Sequence, residues 1–190
     1  SAAGADRDEV GSGALLVALD QVQDPRNLGA VCRSAEAAVA GGLVIPERRS
    51  AEVTAVTCKT SAGAVEHLSL ARVRNLADWL AEAKRAGFWI CGADAAAVSA
   101  PWEVDLTGPT VLVLGGEGKG IRPRVASACD GLVALPQRGR VGSLNVSAAA
   151  TGRTDISFTL PREDGQAAMS SLSKVEAEVG YERLLFDDQI

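Results

Sequence analysis

Two stretches of this chain are apolar at consecutive positions: residues 14–20 (ALLVALD) and 110–114 (TVLVL). A strand with one wet face alternates apolar and polar side chains. A run apolar throughout belongs instead to a strand covered on both faces. Shorter apolar segments at 43–45, 68–73, 88–92 and 132–135 are separated by helical stretches. Residues 28–40 are Ala-rich, with Asn27 placed to cap the helix and Gly41-Gly42 to end it. Residues 51–64 read as a helix weakened by Thr54, Thr57, Thr60 and Gly63. Residues 76–86 form the clearest amphipathic helix, with Leu76, Leu80 and Ala83 opposite Asp78, Glu82 and Arg85. Residues 123–128 open on a proline suited to a first helical turn. The alternation predicts an α/β fold, a mostly parallel sheet with helices on both faces.

Residues 14–150 are expected to form one domain, and 1–13 a disordered lead-in or linker. Beyond Ala150 the character changes. Gly152 and the polar residues around it do not suit a continued helix. Residues 156–160 alternate like a strand, Pro161 breaks the chain, and the remainder is expected to be partly disordered or a short helix. With 190 residues, the chain can bury a core without metal or disulfide.

Cys32, Cys58, Cys91 and Cys129 form no CxxC pair, and His67 is the single histidine, so a zinc site is not expected. His67 itself reads as a structural or surface residue. No apolar run approaches the ~18 residues of a membrane span. These features favour the cytoplasm. The net charge of -5 argues against a partner held by bulk positive charge, so a nucleic acid would need a local basic patch.

Three segments join a strand to the start of a helix. The first is Asn27-Leu28-Gly29-Ala30-Val31-Cys32-Arg33, where a capped N-terminus offers free N–H groups. Alone it reads as readily as an ordinary capped helix with a solvent-facing arginine. The second is Leu114-Gly115-Gly116-Glu117-Gly118-Lys119-Gly120-Ile121, whose glycines suggest a backbone approaching a ligand, or a mere turn. Val113 stands where a Walker A loop needs glycine, and glycines spaced evenly by two do not fit the dinucleotide fingerprint. A nucleotide-binding hydrolase is therefore a weak reading. The third runs from Leu135-Pro136-Gln137 through Gly139 to Ser143-Leu144-Asn145-Val146-Ser147, with Ser143 able to cap a helix.

Together, in this order, NLGAVCR, LVLGGEGKGI and LPQRGRVGSLNVS resemble the three signature motifs of the SpoU/TrmH family of SPOUT methyltransferases. The resemblance covers most of the chain. It implies an α/β domain with a C-terminal trefoil knot, a homodimer, and transfer of a methyl group from S-adenosyl-L-methionine to a ribose 2'-hydroxyl of rRNA or tRNA. Carried over by position, Arg33 is the central catalytic residue, with Asn27, Glu117, Ser143 and Asn145 around it. The cofactor pocket would be lined by Leu114, Gly115, Gly116, Gly118, Leu135, Gln137, Ser143, Leu144 and Ser147. The basic residues beside these motifs, Arg26, Arg33, Lys119, Arg122, Arg138 and Arg140, would meet RNA. Arg48 and Arg49 follow the second strand and extend the cluster. No metal or membrane is implied. A non-catalytic RNA-binding or dimerisation module on the same scaffold is the competing reading, suggested by the segment after Ala150.

Overall fold

The computed structural model describes residues 14–116 and 120–134, and the backbone of 182–183. Six parallel strands are β1 (Leu15–Asp20), β2 (Gly42–Pro46), β3 (Leu70–Val73), β4 (Trp89–Ala93), β5 (Thr110–Gly115) and β6 (Gly131–Val133). A short β7 (Glu182–Arg183) pairs antiparallel with β3, where a disordered tail or a short helix was expected. The sheet order is β6-β4-β5-β1-β2-β3-β7. The two strands read first, β1 and β5, are its centre and pair along their full length, from Leu15↔Thr110 to Asp20↔Gly115.

Side chains of β1 leave the sheet alternately. Leu16 and Ala18 join one core with Leu76, Trp79, Leu80 and Ala83 of α3 (Leu76–Arg85) and Val125 of α4 (Pro123–Ala126). Val17 and Leu19 join the other core with Leu28, Val31, Cys32 and Ala35 of α1 (Pro25–Ala37). Burial of each large aliphatic side chain stabilises the fold by about 1.5–3 kcal/mol. Cys32 and Cys91 are fully buried, and burial pushes their thiols up to about 12 and about 11. His67 lies exposed at the surface.

Two boundaries differ from the sequence reading. The cap of α1 is Asp24, whose Oδ1 accepts from the Arg26 N–H at 2.8 Å, and Asn27 sits inside the first turn. The cause is Pro25, whose fixed φ suits the first helical position and moves the start upstream. The second helix, α2 (Ala55–Ser61), is shorter than expected. It closes at Ala62 in the left-handed conformation, and a 3₁₀ turn over Ala64–Glu66 follows. Gly29 fixes where α1 and α2 cross: a Cβ there would overlap Thr60 Oγ1 and lie 2.7 Å from the Thr57 carbonyl oxygen.

At the carboxyl end of the central strands, the carboxylate of Asp20 is fully buried. Its Oδ2 accepts the backbone N–H of Arg122 at 2.8 Å, and its Oδ1 accepts Arg122 Nε at 2.8 Å with an Nη at 2.7 Å. Its carbonyl accepts the Gly116 N–H at 2.8 Å. One residue thus holds both ends of the loop after β5.

Three outcomes are expected. Gly29→Val should destabilise the chain by roughly 1–3 kcal/mol through overpacking, measured by urea unfolding; a neutral effect would mean that the α1–α2 crossing adjusts freely. Arg122→Ala should cost more than Asp20→Ala, because it leaves a carboxylate buried while the reverse leaves a half-exposed guanidinium that can reach water. The opposite order in unfolding midpoints would show that Asp20 is hydrated without its partner. Because burial raises the folded-state thiol values above the ordinary 9.0, with Cys129 also at about 12, unfolding should release protons at high pH. The contribution of these thiols to stability should therefore be flat below pH 9.0 and fall from there toward about 12. Loss of that fall on replacing the three cysteines with alanine would confirm the source.

Candidate active site

Parallel α/β sheets bind ligands beyond the carboxyl ends of their strands, where neighbouring connections depart in opposite directions. Here that point lies between β1 and β5. From β1 the chain passes through α1 to β2 on one side, and from β5 it passes through α4 to β6 on the other. Helices α1 and α4 lie on opposite faces, the arrangement at which such folds form a ligand crevice. The segment 27–33 and the loop starting at Leu114 both occupy this junction.

Gln21 turns the chain out of β1 with φ 61, a left-handed conformation that a non-glycine residue adopts at a cost. Four residues past β1, α1 begins. Asn27 is buried in its first turn, whereas Arg26 and Arg33 are exposed and stand seven residues apart on one stripe. At 1.5 Å of rise per residue their Cα atoms are about 10 Å apart along the axis. Arg33 makes no ion pair with a described residue, so its guanidinium is available to a substrate.

The loop after β5 folds back on itself. Gly116 and Gly120 form an antiparallel bridge, and the Gly120 N–H donates to the Gly116 carbonyl at 3.1 Å. A Cβ on Gly115 would overlap the Gly120 carbonyl, and one on Gly116 would overlap the Gln21 carbonyl oxygen. These two glycines are therefore required first by the protein's own backbone. The Gly116 N–H is committed to the Asp20 carbonyl, and the Gly116 carbonyl accepts from Gly120. Beside them, Leu114 and Ile121 are buried and apolar.

The structure holds Gly115, Gly116 and Arg122 together with Asp20 and Gln21 at the end of the central strands, with Leu114 just before them, Asn27 in the first turn of α1 and Arg26 and Arg33 on its exposed side. Arg122, expected to meet RNA, has its guanidinium engaged by Asp20 and remains half exposed. Glu117, Gly118, Lys119, Leu135, Gln137, Arg138, Arg140, Ser143, Leu144, Asn145 and Ser147 lie outside the described residues. Asp20 and Gln21 were not singled out in the sequence. The available signal was a lone acidic residue ending an otherwise apolar strand, since buried carboxylates are paired.

Residues 14–151 match the SpoU rRNA Methylase family. Among similar proteins, an uncharacterized tRNA/rRNA methyltransferase of Mycolicibacterium smegmatis is 51% identical over 137 residues, 72% of this chain and 44% of its own. The 23S rRNA (guanosine-2'-O-)-methyltransferase RlmB of Xanthomonas campestris is 48% identical over 141 residues, 74% of this chain and 56% of its own. The chain thus spans about half the length of the curated relatives it matches. Among solved structures, the SpoU methyltransferase AviRb of Streptomyces viridochromogenes in complex with AdoMet superposes with a TM-score of 0.67 at 28% identity, over 90% of this chain and 63% of its own. An AdoMet-bound rRNA methyltransferase of Sinorhizobium meliloti gives a TM-score of 0.69 at 28% identity, over 88% of this chain and 59% of its own. A family match over most of the chain, on the fold and crevice described above, establishes that this chain belongs to the SpoU rRNA methylase family.

Proposed function

We propose that this chain transfers the methyl group of S-adenosyl-L-methionine to a ribose 2'-hydroxyl of rRNA or tRNA. The observation that carries the reading is that α1, which holds the segment 27–33, leaves β1 beside β5 and shares a core with Leu114 at the end of that strand. Backbone groups at the end of β5, next to the apolar residues Leu114 and Ile121, suit the neutral adenosine part of the cofactor. When bound, S-adenosyl-L-methionine supplies an already activated methyl group, so the site requires no metal.

The chain's own residues must then orient a ribose and handle the proton of a weakly acidic hydroxyl. Arg33 does not act as the base, because a guanidinium stays charged in proteins. Its exposed position, without an ion pair among the described residues, suits it to grip a phosphate and to stabilise negative charge developing on the 2'-oxygen. Asn27 supports the first turn behind it. Glu117, Ser143 and Asn145 complete the active site in this proposal. Gly118, Leu135, Gln137, Leu144 and Ser147 complete the cofactor pocket through a trefoil knot. A homodimer, working in the cytoplasm, brings the motifs of two chains together, and Arg26, Lys119, Arg138 and Arg140 border the groove that receives RNA.

Titration with S-adenosyl-L-methionine in a calorimeter should give saturable binding near one per chain. With tritiated cofactor and bacterial ribosomal or transfer RNA, label should enter ribose. Arg33→Ala should lower turnover by about 10²–10³-fold, the usual loss for a group stabilising developing charge, and leave cofactor binding intact. Undiminished turnover in that variant would remove Arg33 from the mechanism. Failure of the folded protein to bind the cofactor would favour a non-catalytic module.

A further inference from the structure

Resting on the RNA reading above, we propose that Arg48, Arg49 and Arg74 form a phosphate track that leads the RNA strand along the sheet edge to α1. Arg48 and Arg49 follow directly on β2, and Arg74 follows directly on β3. The Glu47 N–H donates to the Val73 carbonyl at 2.8 Å, which sets the two exits side by side. The Ala51 N–H donates to the Val22 carbonyl at 2.7 Å, which ties the β2 loop to the exit of β1, just before α1 and its first-turn Arg26. With strands about 4.8 Å apart, the backbone exits of β2 and β3 lie within about 10 Å of the β1 exit. The track then continues along α1 through the exposed stripe from Arg26 to Arg33.

The ion pairs separate this edge from the rest of the surface. Among the described residues, Lys84 pairs with Asp130, Arg85 with Glu82, Arg124 with Asp78 and Arg122 with Asp20. Arg26, Arg33, Arg48, Arg49 and Arg74 are all exposed and none has a carboxylate partner there. Lys59 of α2 and Arg72 within β3 are also without one. The chain carries 24 acidic against 19 basic residues, so carboxylates are not scarce. Glu47 and Glu52 stand within the arginine-bearing loop, and neither forms an ion pair with its arginines among the described residues. Like charges gathered on adjacent loops repel one another, and a polyanion laid across them relieves that repulsion. Arg49 also holds φ 59, a left-handed state unfavourable for arginine and of the kind stored at functional sites. Arginine suits such a track because its planar fork binds phosphate through two parallel hydrogen bonds.

The test is fluorescence anisotropy with a labelled single-stranded RNA oligonucleotide of mixed sequence, titrated at several salt concentrations. The parent chain is compared with Arg48→Gln/Arg49→Gln/Arg74→Gln and with a control of equal charge change, Lys84→Gln/Arg85→Gln/Arg124→Gln. Each lost phosphate contact on a single strand flattens the plot of log K against log salt by about 0.7, so the track variant should be shallower by about 2. Its affinity at low salt should fall about 10- to 100-fold. Cofactor binding should stay at the parent value, and the control should keep the parent slope. Single Gln substitutions should each give about a third of the change in slope, which keeps the test informative if the triple variant misfolds. An unchanged slope in the track variant, or an equal loss in the control, overturns the track and leaves the methyltransferase reading standing. A parent chain that binds cofactor but no RNA overturns both.

Discussion

The carboxylate of Asp20 is the constraint on which the crevice depends. It is fully buried, and burying a charge is tolerated only when hydrogen bonds and a countercharge replace the lost water. Arg122 supplies both, through its backbone N–H and its guanidinium. Two segments separated by a hundred residues are thereby fixed at one point, with β1 leading to α1 on one side and β5 leading to its glycine loop on the other. The positions of Asn27 and Arg33 relative to Leu114–Gly116 follow from this clamp and from the full-length pairing of β1 with β5. Specificity of geometry, more than stability, is what a buried pair of this kind contributes here.

Much of the fold was legible because its signals are local. Runs such as TVLVL announce a strand covered on both faces, and the amphipathic stripe of α3 appears in its sequence with both ends nearly right. The start of α1 was misread although its signal was present. Asp24-Pro25 is a strong opening, but the Asn27-Leu28-Gly29 signature drew attention three residues downstream. The truncation of α2 is also local in cause, since threonines and a left-handed Ala62 end it early. By contrast, the partner of Asp20 and the crossing at Gly29 are contacts between distant segments. Pattern along one chain does not encode which arginine meets which carboxylate.

The glycine loop shows how a correct inference can rest on an incomplete cause. Its glycines suggested a backbone that approaches a ligand. In the folded chain, Gly115 and Gly116 are demanded first by Gly120 and Gln21, and Gly120 by its left-handed φ of 61. A ligand at this edge meets a backbone already folded tightly for internal reasons. That order of causes is useful chemically. A loop end held by its own contacts is already in place, so little ordering is left to be done when a ligand arrives.

The same economy explains how an acidic protein can meet a polyanion. Net charge governs the far field, but screening confines interactions between exposed charges to about 8–10 Å at physiological salt. Within that distance, only the local arrangement counts. A parallel sheet delivers every strand exit to one edge, so cations placed just past β2 and β3 and on α1 become neighbours without any pattern linking them in sequence. Pairing most other described cations with carboxylates neutralises them, and the arginines at this edge keep their field. The parallel topology that creates the crevice at β1 and β5 therefore also concentrates positive charge beside it. Site and approach are two consequences of one strand order.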